Sequence, residues 1–181
     1  PSLLGLRAQI ALDLGLPDRA ASTIAEELAL ARNLGDLQAW IAAVQRRVAF
    51  DLATDAFESA ARRVEQERAR DYWSRISPRS RARLLVQLGR AEAQIARADP
   101  ERSQQAVATL SAALLDPELG ELERALAELA LAELEIRAHA LDAAVARLCS
   151  VRARLSGPLS EERPDELARA VALEAEIGLA R

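Results

Sequence analysis

The chain has 181 residues, and its basic side chains are 24 Arg and no Lys against 28 Asp and Glu, for a formal net charge of -4. This length suits one domain or one short repeat array that buries roughly two thirds of its unfolded surface. With one Cys, one His, no Met, two Trp, one Tyr and two Phe, the composition argues against disulfide scaffolds, metal centres and nucleophile-base pairs, so we expect no enzyme and no cofactor.

The N-terminal part of the chain is predicted to form two pairs of helices, because Gly, Pro and capping residues interrupt otherwise apolar segments. The first pair covers about residues 2–34 and the second about 36–70. Asp36 is the predicted N-cap of the second pair, and Asp55 and Glu58 have the spacing of a capping box for its second helix. Two antiparallel helical hairpins follow from this pattern.

The remainder of the chain is predicted to continue in the same way. Further pairs cover about residues 77–116 and 118–156, and a final helix covers about 160–181. Ser77 precedes Pro78, which is the arrangement of an N-cap followed by Pro at the first helical position. Forty Ala and thirty Leu support helix throughout. The predicted fold class is therefore all-α, an α-solenoid of about four antiparallel hairpins plus a C-terminal helix.

The helix predicted over 118–138 is apolar on two sides. One face is marked by Leu122, Leu126, Leu129 and Ile136, whereas Leu131 and Leu134 lie off it. A helix of this kind is expected to lie between neighbours that cover both faces.

A weak internal repeat supports a repeated hairpin. Residues 4–19 are similar to residues 88–102, including Leu4-Gly5 and Leu88-Gly89. Two hairpins fit within the offset between these copies, which gives about 42 residues for each pair.

The strongest local anomaly is the segment 62–83, in which eight Arg face three acidic residues and Tyr72-Trp73 occupy the middle. Arginine planes beside aromatic rings suit an acidic peptide, or phosphate groups of nucleic acid. A pI near 5.2 makes nucleic acid the weaker interpretation. In the alternative, the two rings fill the gap between the second and third hairpins, and the arginines are solvated or paired with neighbouring acids.

Seven side chains are the candidate partner-binding residues. They are Trp40, Arg68, Arg70, Tyr72, Trp73, Arg75 and Arg79. Trp40 is interpreted either as a core residue or as a recognition anchor on the first helix of the second hairpin.

His139 and Cys149 suggest no site. His139 is expected to be an exposed turn residue, since no second metal ligand lies near it in the sequence. Cys149 follows Leu148 on an apolar stripe and is predicted to be a small buried side chain.

Residues 4–35 resemble a tetratricopeptide repeat in the spacing of large, small and turn residues. The matching positions are Leu4, Ala8, Gly15, Ala20 and Ile24, and weaker echoes occur at Ala56 and Ala60, at Leu88, Gly89, Ala106, Leu110 and Ala113, and at Ala144 and Leu148. The longer, irregular spacing is similar to the degenerate repeats in sensor arms of large bacterial regulators and signalling ATPases.

The resemblance implies a right-handed superhelix whose first helices line a groove for a protein or peptide partner, an acidic one included, or for other domains of the same polypeptide. It implies binding without catalysis; the alternative is a ligand-responsive sensor arm. The family's carboxylate clamp uses Lys, which this chain lacks.

The sequence also suggests where the chain works. It begins at Pro1 and has no signal-peptide pattern and no apolar run long enough for a bilayer. We therefore expect a cytoplasmic fragment of a larger polypeptide, with no membrane partner, and the resemblance implies that this polypeptide is bacterial.

Overall fold

The structure, a computed structural model, describes residues 2–99, 101–155 and 164–180, and its regular elements in these ranges are all helical. The α-helices are α1 (Leu3–Asp13), α2 (Pro17–Leu34), α3 (Leu37–Ala53), α4 (Phe57–Arg68), α5 (Pro78–Ile95), α6 (Arg102–Leu114), α7 (Glu121–Arg137), α8 (Leu141–Leu155) and α9 (Pro164–Ala180), with a short 3-10 helix at Trp73–Arg75. The all-α prediction is confirmed for the described ranges. The predicted boundary between the fourth hairpin and the final helix, at 156–163, lies outside them.

Two predicted N-caps are confirmed by hydrogen bonds at the helix starts. The Oδ1 atom of Asp36 accepts from the backbone N–H groups of Gln38 and Ala39, at 2.9 and 3.1 Å, at the start of α3. The hydroxyl of Ser77 accepts from the backbone N–H of Ser80 at 3.2 Å, just before Pro78 opens α5. Both caps satisfy amides that have no partner within the helix.

The predicted capping box at Asp55 and Glu58 is wrong. Asp55 has φ 57° and α4 starts after Ala56 with no side-chain cap. The N–H of Ala56 donates to the carbonyl of Asp51, and that of Asp55 to the carbonyl of Leu52. Asp55 therefore ends α3 in the left-handed position of a Schellman motif. An N-cap residue has an extended backbone, so Asp55 cannot also be the N-cap of α4.

The same turn closes three hairpins. Gly15, Asp55 and His139 each have positive φ, at 69°, 57° and 58°, and each stands between two helices with the same two backbone hydrogen bonds. Asp55 follows Gly15 by close to one predicted pair length, and His139 follows Asp55 by twice that length.

The chain divides into two compact units, residues 1–81 and 82–181. In the first unit, α1 contacts α2, α2 contacts α3, and α3 contacts α4. Its core cluster contains Ala8, Ala11, Ala20, Ile24 and Phe50. Alanines at the helix contacts let the backbones approach closely, so the unit packs with few aromatic rings.

In the second unit, α7 lies between two apolar clusters, as predicted. Leu131 and Leu134 pack with side chains of α5 and α6, whereas Leu129 packs with side chains of α8 and α9. The prediction is wrong for Leu126, which packs with the α5 and α6 side chains because it lies one turn before Ala130 and shares its side of the helix. Among the described helices, none has a stretch that is both long enough and apolar enough to cross a membrane.

Candidate functional site

A cleft of about 410 Å³ lies in the first unit, where the end of α2, the start of α3 and the segment after α4 meet. Its polar and aromatic lining consists of Arg32, Asp36, Trp40, Arg70, Tyr72 and Arg75. Four of the seven predicted partner-binding residues thus share one concave surface, and its volume is within the usual range for binding pockets.

Local backbone structure holds these side chains in place. Gly35, at φ 64°, ends α2, and Asp36 caps α3, so that Trp40 lies one turn into that helix. After α4, backbone hydrogen bonds join the N–H of Arg70 to the carbonyl of Glu67 and the N–H of Arg75 to the carbonyl of Tyr72, at 3.1 and 2.8 Å. Tight turns therefore fix the segment although it is mostly irregular.

The cleft rests on a hydrogen-bonded cluster around Glu67, whose side chain is buried. The indole N–H of Trp40 donates to Glu67 Oε2 and to the Tyr72 hydroxyl oxygen, both at 3.0 Å, and the Tyr72 hydroxyl donates to the same Oε2. Two neutral donors thus serve this acid, and the described residues give it no arginine partner. The three side chains join α3, α4 and the following segment.

The same cluster keeps Tyr72 protonated. Burial, the hydrogen bond to Glu67 and the negative charge of Glu67 raise the pKa of Tyr72 from 10 to about 12. Near neutral pH the phenol is therefore a donor, and the aromatic part of the cleft carries no charge.

The arginines of the cleft are available for an external anion. Arg32, Arg70 and Arg75 are exposed, and no carboxylate in the described part of the chain forms an ion pair with them. Asp36 is the one acid in the lining and uses Oδ1 as a helix cap. Three positive charges against one negative charge favour a carboxylate or phosphate group, which guanidinium groups bind through paired hydrogen bonds.

The other three candidates lie outside this lining. Arg68 is exposed at the end of α4, Arg79 is exposed in the first turn of α5, and Trp73 is half-buried at the start of the 3-10 helix. Sequence reasoning alone does not select Arg32 and Asp36 for the site. The sequence feature that could indicate them is a basic residue in the last turn of a helix, followed by a Gly-Asp junction.

The alternative interpretation of segment 62–83 has its arginines solvated or paired, and the exposed Arg68, Arg70, Arg75 and Arg79 fit the solvated case. Two other arginines lie near acids. Arg63 lies 3.7 Å from the buried Asp51, and Arg83 pairs with Glu123. Trp40 is half-buried: its N–H is used within the protein while the side chain lines the cleft.

A second group of arginines surrounds Glu133 in the second unit, beside a cavity of about 170 Å³. Arg169 pairs with Glu133, and Arg97 lies 3.8 Å from it. Arg137 donates to the backbone carbonyls of Ala93 and Glu133, and burial lowers its pKa. These arginines are engaged within the protein, where they connect α5, α7 and α9.

Two further residues, His139 and Cys149, are both exposed. His139 is exposed in a turn, as predicted. The prediction of a buried Cys149 is wrong, because the buried stripe of α8 includes Leu148 and Val151, and Cys149, one residue further round the helix, is exposed. Within the described residues, no group of three or more His, Cys, Asp or Glu side chains is placed to hold a metal ion.

Comparison of the chain with protein-family models, with curated proteins and with solved structures gave no significant match.

Proposed function

We propose that this chain is a non-catalytic interaction module of a larger bacterial polypeptide, and that its Trp40 cleft holds an acidic segment of a protein partner. The observation that carries the proposal is the set of three exposed arginines with no carboxylate partner in the described residues, beside two aromatic side chains. Trp, Tyr and Arg are the residue types that contribute most to protein interfaces.

An extended segment fits this cleft better than a folded domain does. The volume of about 410 Å³ has room for a few side chains. Acidic side chains of the segment would pair with Arg32, Arg70 and Arg75 on the rim. Asp36 Oδ2 accepts no hydrogen bond within the described structure, so it can accept one from a main-chain N–H of the segment.

We also propose a tetratricopeptide-like, right-handed array working in the cytoplasm. Support comes from the turn shared by three hairpins, which recurs after one and then two further pair lengths, and from contacts between successive helices such as α1 with α2 and α7 with α8. Repeated hairpins leave extended surfaces for binding, which agrees with an interaction role.

The experiment uses a short fluorescein-labelled peptide of alternating Glu and Leu, titrated with the whole chain and followed by anisotropy. Arg70→Glu and Arg75→Glu should each weaken binding about tenfold, since each places a like charge against the peptide. Arg68→Glu and Arg79→Glu change the net charge equally but lie outside the cleft, so their affinities should stay within about twofold of the parent.

The control peptide has Gln in place of Glu and should bind at least about tenfold more weakly. Equal losses in all four variants would show non-specific attraction between charges and would contradict a specific cleft. Failure of the parent chain to bind the acidic peptide more tightly than its Gln counterpart would have the same meaning.

The alternative function is a ligand-responsive sensor arm, in which a small anion occupies the cleft. The cavity volume supports this alternative, because pockets of this size hold small ligands. Citrate and inorganic phosphate are suitable probes. A rise in melting temperature with either anion that Arg75→Glu abolishes, together with no binding of the acidic peptide, would support the sensor over the peptide module.

A further inference from the structure

Helix α1 is apolar on two opposite sides. Its small residues, among them Ala8 and Ala11, are buried within the first unit. The opposite side carries four large side chains at spacings of three, four and four residues, which places them on one face. These residues, the α1 strip, are Leu3, Leu6, Ile10 and Leu14, and they are 87%, 52%, 50% and 68% exposed.

A groove with a basic rim adjoins the α1 strip. Ile10, Leu14 and Leu16 contribute its apolar lining, in a cavity of about 260 Å³ between α1 and α2. Arg7 and Arg19 line the same cavity, are exposed and form no ion pair with the described residues. One acid, Glu26, also lines it, so positive charge is in excess.

Another helix of the protein, α7, is similar to α1 in this respect. In the second unit, α7 is also apolar on two sides, and other helices cover both of its faces with Ala and Leu side chains. The described structure covers one face of α1 in the same manner and leaves the strip open. A helix with a similar small and apolar face is therefore the kind of element that fits the strip.

We propose that the α1 strip is a docking surface for an amphipathic α-helix of a partner protein, with an apolar face on the strip and acidic side chains opposite Arg7 and Arg19. Leu3 to Leu14 span about 16 Å, which corresponds to about three turns of a partner helix. The charge of the rim selects an acidic partner. This surface shares no lining residue with the Trp40 cleft, so the two proposals are independent.

Charge also argues against a second copy of this chain as the occupant. Arg7 lies at the edge of the strip, about 60° around the helix from Ile10. Asp13 lies at the other edge of the strip, also about 60° from Ile10. Antiparallel pairing of two α1 helices would place like edges together, Arg7 with Arg7 and Asp13 with Asp13, which disfavours self-association.

The test uses two helical peptides with the same Leu and Ala face, one flanked by Glu and the other by Lys, titrated calorimetrically into the whole chain. The Glu peptide should bind at least about tenfold more tightly than the Lys peptide, because the rim is basic. Leu6→Gln and Ile10→Gln should each weaken it about tenfold. Leu115→Gln is the matched control, since Leu115 is 84% exposed but belongs to the second unit, and its effect should stay within about twofold.

Charge reversal at Arg7 gives a second readout that a general loss of folding does not imitate. Arg7→Glu should invert the preference, so that the Lys peptide binds more tightly than the Glu peptide. The proposal is overturned if neither peptide binds, if Glu and Lys peptides bind equally, or if Leu115→Gln weakens binding as much as Leu6→Gln. It is also overturned if sedimentation shows a dimer that Leu6→Gln dissociates, since the strip would then be a self-interface.

Discussion

The ionisation of Tyr72 tests the hydrogen-bonded cluster beneath the Trp40 cleft directly. Tyr72 is the chain's one tyrosine, so a titration of tyrosinate absorbance at alkaline pH reports a single side chain. In the structure, burial and Glu67 raise the pKa of this phenol to about 12. The expected midpoint for the native protein is therefore near pH 12 rather than 10.

Two substitutions should move that midpoint in opposite directions. Glu67→Gln removes the negative charge and weakens the hydrogen bond but keeps the burial, so the pKa of Tyr72 should fall from about 12 towards its usual value. Arg70→Gln removes a positive charge that lowers the pKa of Tyr72, so the midpoint should rise further. Opposite signs from two neighbouring positions would be hard to produce by a general change in stability.

The same shift predicts how stability depends on pH. Because the folded pKa of about 12 exceeds the unfolded value of 10, the native state binds more protons than the unfolded state between these values. The contribution to stability is complete below pH 10 and is lost as pH rises towards 12. Since the ring is partly exposed, we expect a loss of about 1 kcal/mol after allowing for solvent screening, measurable by urea unfolding across this range.

Circular dichroism at each pH is the control, because unfolding would release the phenol to its usual pKa. A native midpoint near 10, measured while helicity is intact, would refute the placement of Tyr72 against Glu67. An unchanged midpoint in Glu67→Gln would show that burial alone causes the shift.

Three further predictions concern packing and exposure. Gly89→Ala should destabilise the protein by about 1–2 kcal/mol in urea unfolding, since the new Cβ would lie 2.5 Å from Cγ of the buried Leu110, whereas Gly178→Ala, with open space around it, should stabilise it by up to about 1 kcal/mol. Cys149 should react with a thiol reagent such as DTNB in the native state at nearly the rate found in urea. Asp51→Ala should cost about 2–4 kcal/mol by urea unfolding, because it leaves arginine and serine partners of a buried acid unpaired, while Asp51→Asn should cost less.

The helices could be predicted from the sequence because their limits depend on local chemistry. Asp36 and Ser77 cap helices through neighbouring amides, which a sequence pattern records. The prediction for Asp55 is wrong because Asp suits both an N-cap and a left-handed C′ position, and the hydrogen bonds that choose between them belong to the end of the preceding helix. The prediction for Cys149 is wrong for a different reason: Cys149 is next to the buried Leu148, but one step along a helix turns a side chain by about 100°, from the buried to the exposed face.

The candidate site could be predicted in part. Arg70, Tyr72 and Arg75 are close in the sequence, so their composition alone indicates them. Arg32 joins them through the packing of α2 beside α3, and no local pattern encodes that proximity. Nor could the sequence separate Arg63, which neighbours a buried acid, from arginines left free, because that choice depends on which helices meet.

The buried acids of the protein differ in the partners that their carboxylates use. Most buried acids of the described residues form an ion pair with arginine: Glu27 with Arg46, Asp51 with Arg47, Glu123 with Arg83 and Glu133 with Arg169. Glu67 is satisfied instead by the neutral donors of Trp40 and Tyr72. Glu67 thus has no arginine partner, and Arg70, three residues along the chain, forms no ion pair with a carboxylate of the described residues. In the proposed function, the charge of Arg70 is therefore left for an acidic group of the partner.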